Sequence, residues 1–89
     1  MRTRIGEWVF DHSKYDPEAD VLYLSIGPPR EGYGEETREG HFLRFDERGD
    51  FCGVTIIDAK RIWEDEGRIC ITVPTAEKVE LSADQFQLA

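Results

Sequence analysis

The sequence predicts a mainly β fold, an antiparallel meander of five or six strands in a curled sheet with at most two short helical turns. Three observations carry this reading. Apolar residues alternate at period 2 in segment after segment, clusters of turn residues separate the segments, and no stretch sustains a helical period. An α+β arrangement is the alternative. The 89 residues fit one domain spanning 1–89, and a chain of this size buries little enough surface that a partner subunit would help it.

Taken in order, residues 7–15 read as a first strand around Trp8, Phe10 and Tyr15. Asp16-Pro17-Glu18-Ala19-Asp20 reads as a turn, with Pro fixing φ and Asp on either side to bond local backbone. Residues 21–26 alternate next, with Leu22, Leu24 and Ile26 on one face. The stretch 27–34, with three Gly and two Pro, reads as the longest break. In 41–46, Leu43 and Phe45 oppose Phe42, Arg44 and Asp46, and in 51–58, Cys52, Val54 and Ile56 share a face. Glu47-Arg48-Gly49-Asp50 is a short polar connection between them.

Residues 59–63 offer one helical turn, and Glu64-Asp65-Glu66-Gly67 reads as a turn. In 68–73, Ile69, Ile71 and Val73 point inward. Pro74-Thr75-Ala76 turns the chain into 77–81, which offers Val79 and Leu81. Residues 82–89 begin with a plausible N-cap Ser82 and have Gln85 at the capping-box position, enough for about two turns. Short connections favour antiparallel neighbours, because a parallel crossover needs about a dozen residues or more.

Composition excludes several function classes. Ten aromatics and many Val, Ile and Leu residues argue against disorder. No run approaches the roughly 20 apolar residues of a membrane helix. The start, MRTRIGEWVF, lacks the apolar core of a secretory signal. Nineteen acids against eleven bases give a net charge of −8, which repels phosphates and disfavours nucleic acid. Cys52 and Cys70 read as free thiols, so the expected setting is the reducing cytoplasm.

Two segments are familiar. Residues 15–24, YDPEADVLYL, resemble the opening motif of a bacterial and archaeal family, domain of unknown function 2283. Residues 45–59, FDERGDFCGVTIIDA, resemble its second motif, D-x-x-G-x-x-x-G-I-E-I-L-D-A, with Thr55 where the family usually has an acid. The resemblance spans residues 15–60 and implies a small β-rich module with no catalytic residue. Some relatives are encoded beside toxin-like proteins, which implies a protein partner.

The candidate chemistry is thin. Asp16, Glu18 and Asp20 have the alternate spacing of a Ca²⁺ loop, but Val21 stands where that loop needs Gly and Gly27 where it needs Glu. They read as turn staples. His12 and His41 are the only imidazoles and lack metal-ligand spacing, so both read as solvent-facing strand residues. Ser13, Ser25 and Ser82 sit in no nucleophile elbow, and no phosphate loop follows the glycines of 27–34. The acidic runs 35–39 and 64–66 read as solvated edges and turns that block edge pairing.

No catalytic, metal or cofactor residue is therefore assigned, and the leading expectation is a non-enzymatic protein-interaction or assembly module. An antitoxin-like partner of an RNase-like toxin, docking a basic surface on the acidic one, is the first alternative. A small metal-dependent hydrolase using His12 or His41 is the second. An inward apolar set this large has to be covered, by curling of the sheet or by a second copy. The expectation is a two-fold homodimer with Trp8, Phe42, Phe51 and Trp63 at its centre.

Overall fold

The computed structural model describes residues 3–5, 8–28, 30–72 and 78–81. Its elements are β1 (Thr3–Ile5), β2 (Trp8–Phe10), β3 (His12–Asp16), β4 (Val21–Ser25), β5 (Gly32–Glu36), β6 (Phe42–Asp46), β7 (Phe51–Ile57), α1 (Ala59–Glu66), β8 (Ile69–Thr72) and β9 (Lys78–Leu81). The mainly β class stands. Five strands form an open antiparallel sheet in the order β3-β4-β7-β6-β5, and β1-β2 and β8-β9 form two hairpins.

That order corrects the meander. After β4 the chain crosses to the far edge, and β5, β6 and β7 return so that β7 lies beside β4, a Greek-key order. The reason lies in the strands themselves. β7 is buried at Cys52, Gly53, Val54 and Ile56 and takes the centre, whereas β5, GYGEE, is exposed throughout and takes the edge. β5 also falls inside the expected 27–34 break. Gly32 allows it to pair, because a Cβ there would collide with the carbonyl oxygen of Phe45 on β6.

The single strand expected at 7–15 is instead two, in different sheets. The chain breaks at Asp11, whose carboxylate accepts a hydrogen bond from the Gly27 amide at 2.7 Å. A bulge on β7 also shifts the expected faces. Arg44 pairs with Gly53 and Phe45 with Phe51, leaving Cys52 as the extra residue. Phe51 thereby turns to the core side, and buried Cys52 stays outside the central apolar cluster.

Leu22, Leu24, Leu43, Val54 and Ile56 make the inner face of the sheet. Phe10 of β2, Ala59 of α1 and Ile69 and Ile71 of β8 pack against them, all four at 0% exposure. The chain therefore covers this face with its own hairpins and helix, where curling or a second copy was expected. α1 is longer than the expected single turn, because Glu64, Asp65 and Glu66 continue it. Lys60 and Arg61 face Glu64 and Asp65 one turn on, and the amide of Gly67 donates to the Trp63 carbonyl at the C-terminal end. Val73, the 74–76 turn and the 82–89 segment lie outside the described residues, as do the side chains of Val79 and Leu81.

Candidate functional site

Two carboxylates of the first motif, Asp16 and Asp20, are committed to backbone. Asp16 accepts hydrogen bonds from the amides of Glu18 (3.0 Å) and Ala19 (3.4 Å), closing the turn around Pro17. Glu18 is exposed. Asp20 has a left-handed backbone, φ 54°, and reaches across the chain to α1. Its carboxylate accepts from the amides of Lys60 (2.8 Å) and Arg61 (3.1 Å) and from the Tyr15 hydroxyl (2.8 Å), and its carbonyl accepts from the Ala59 amide (3.1 Å). Asp58 holds the N-cap position but makes no capping bond and pairs with Arg61 instead. The cap of α1 thus comes from a turn 40 residues upstream. Burial pushes the Asp20 carboxyl up, but these hydrogen bonds outweigh it and hold the group below the usual carboxylate range. The same bond to Asp20 pushes the Tyr15 hydroxyl up to about 12.

The second motif is used in the same way. Asp46 accepts from the amides of Asp50 (3.0 Å) and Arg48 (2.9 Å) and pairs with Arg30 at 3.2 Å. These turn bonds, the Asp50 one foremost, hold its carboxyl down against partial burial. The sequence signal for all three aspartates was the pair of motifs, but nothing in their spacing says that one motif caps the helix that follows the other.

The histidines do not converge into a described cluster. His12 is exposed and bonds Asp11. His41 is only 2% exposed, which corrects its expected solvent-facing placement. Its Nδ1 accepts from the Ile57 amide at 3.2 Å, so the ring extends the β6–β7 ladder by one rung. Burial lowers its basicity, against the pull of the Glu39 and Asp58 charges. Glu39 also departs from its expected solvated edge. Its carboxylate accepts from both the amide and the hydroxyl of Thr72, each at 2.9 Å, and ties the β5–β6 turn to β8. Burial opposes ionisation of Glu39, but the Thr72 bonds prevail and keep its carboxyl low. Among the described residues no group of three or more His, Cys, Asp or Glu is placed to hold a metal ion.

The four expected interface aromatics are dispersed. Trp8, Phe51 and Trp63 are half-buried and pack against the chain's own core, with Trp8 edge-on to Phe51 at 4.9 Å between ring centroids. Phe42 alone stands on the outer face of the sheet, beside Arg44: a Cβ at Gly34 would lie 3.8 Å from both side chains.

That outer face has unspent chemistry. One row across the strands runs Lys14, Tyr23, Thr55, Phe42, Glu36, and the next runs His12, Ser25, Gly53, Arg44, Gly34. Tyr23 is 45% exposed, and neither Lys14 nor Glu36 has an ion-pair partner among the described residues. A groove of about 580 Å³ crosses the two rows, with Lys14, Arg30 and Arg44 along it against the single acid Asp16. Its floor is Gly53, where a Cβ would lie 2.7 Å from the Leu24 carbonyl oxygen. Such a face can bind by apolar contact and charge. Nucleophile, base and oxyanion donors are not shown together on it.

No helix among the described residues is long and apolar enough to cross a membrane. The family model for a Protein of unknown function (DUF2283) matches residues 12–60, which run from the start of β3 to the first turn of α1. No curated protein and no solved structure matches the chain.

Proposed function

We propose, from the premise that the chain belongs to the DUF2283 family, that it is a non-enzymatic protein-interaction module working through the outer face of its sheet. The observation that carries this reading is one-sided coverage. The inner face is closed by the chain's own β2, α1 and β8, while the outer face keeps Tyr23, Phe42 and unpaired charges at its surface. Asp16, Asp20 and Asp46 of the two motifs support it too, since each is already engaged in holding a turn or the helix. Cys52 and Cys70 are free, which supports a reducing, cytoplasmic setting.

Site-specific photocrosslinking tests the reading. Benzoylphenylalanine replaces Thr55, at the middle of the outer face, or Glu18, on the exposed turn, in cells expressing the full chain. Protein adducts are expected from position 55 and not from position 18. Adducts at neither position, or equally at both, would overturn the proposal.

A further inference from the structure

We infer that the occupant of the outer face is a second copy of this chain, placed by a two-fold axis parallel to β7. The inference rests on the interaction-module reading and adds the partner and its geometry. β7 is the central strand of five. An axis lying above it, in the plane between two facing sheets, leaves each residue's position along the strands unchanged. It exchanges β4 with β6 and β3 with β5.

Under that operation the row Lys14, Tyr23, Thr55, Phe42, Glu36 becomes its own complement. Lys14 meets Glu36 of the second copy and Glu36 meets its Lys14. Tyr23 meets Phe42, and Thr55 meets Thr55. Two opposite-charge pairs and two aromatic pairs then form around one small polar centre, the arrangement an isologous interface requires. In the neighbouring row Gly53 falls on Gly53 and Ser25 on Arg44, so no like charges are opposed there.

The magnitude sets the strength. Five strands about 4.8 Å apart and five residues of about 3.3 Å rise make a footprint of roughly 24 by 17 Å. That lies at the small end of specific interfaces, so the dimer is a weak one with a dissociation constant on the order of micromolar to tens of micromolar.

Sedimentation equilibrium of the full chain from about 0.1 µM to about 1 mM tests this. The mass should rise from 10.3 kDa towards twice that value. Lys14→Glu and Glu36→Lys should each weaken the dimer about tenfold, by turning both charge pairs repulsive, and the double variant should restore it. Thr55→Glu should abolish it by opposing two carboxylates across the axis. All three positions are on the outer face of the sheet, and circular dichroism checks the folding of each variant. A 10.3 kDa species at every concentration, or a dimer that the charge swap fails to restore, overturns the inference. Crosslinked adducts from position 55 made only with other proteins would overturn it while leaving the interaction-module reading intact.

Discussion

Asp20 serves three donors with one carboxylate, and two of them are the second and third amides of a helix that has no cap of its own. Asp20→Ala should therefore cost about 1 kcal/mol or more of stability, the usual range for a lost N-cap. Asp58 cannot take over, because its own backbone is left-handed and its carboxylate holds Arg61. Urea denaturation checks the magnitude, and a midpoint equal to that of the parent chain would show that α1 does not depend on the remote cap. Gly53 is decided by space rather than by bonding. Gly53→Ala should destabilise by about 1–3 kcal/mol, because the added methyl enters the carbonyl of Leu24 on the neighbouring central strand. His41 is decided by charge. Its folded-state basicity is lowered by burial, so protons bind the unfolded chain first as pH falls below about 6.5, and stability falls with it. His41→Asn, whose side-chain oxygen stands near the position of Nδ1, should flatten the stability slope between about pH 7 and pH 5. An unchanged slope in urea titrations at several pH values would locate the effect elsewhere.

At the scale of elements, β4, β7 and β8 were legible because apolar residues alternate along each, and one such set (Leu22 and Leu24, Val54 and Ile56, Ile69 and Ile71) is buried in the core. β5 was not, because its signal is a run of Gly and Glu, and what makes it a strand is close approach to β6 rather than its own side chains. The split between β2 and β3 was equally hidden, since Asp11 acts through an amide 16 residues away. α1 shows the same limit in another form. Its extra turn comes from Asp20, from Gly67 and from pairs of Lys60 and Arg61 with Glu64 and Asp65, of which Asp20 is remote in sequence. Of the outer face, Phe42 was read as an interface residue from the sequence, whereas Lys14, Tyr23, Thr55 and Glu36 were not, because their juxtaposition is set by strand order. Lys14 and Glu36 become ends of one row only once β7 is inserted between β4 and β6. The bulge at Cys52 likewise decides that Phe51 joins the core while Phe42 stays outside it.

For the whole molecule, three carboxylates act as ties between parts that share few other polar bonds. Asp20 joins the β3–β4 turn to α1, Glu39 joins the β5–β6 turn to β8, and Asp46 joins Arg30 to the β6–β7 turn. All three carboxyls are held below their ordinary values. Each contribution is therefore complete above the unfolded-state values of 3.8 for Asp and 4.5 for Glu, and is lost as pH falls through the lower folded-state values. Tyr15 works in the opposite direction. Its hydroxyl is raised from 10.0 to about 12, so its contribution is complete below pH 10.0 and is lost as pH rises towards about 12. Stability should hence form a plateau from about pH 6.5 to about pH 10, with His41 bounding it first on the acid side, then Glu39, Asp20 and Asp46. Because the acid-side ties connect the sheet to the helix and to the hairpin that cover its inner face, their protonation should release the covering layer together with its core. Acid unfolding followed by tryptophan fluorescence and by far-ultraviolet circular dichroism should then give one coincident transition below about pH 4, since Trp8 and Trp63 both lie against that core. A fluorescence change that precedes the loss of β signal by a full pH unit would show that the covering layer detaches from an intact sheet.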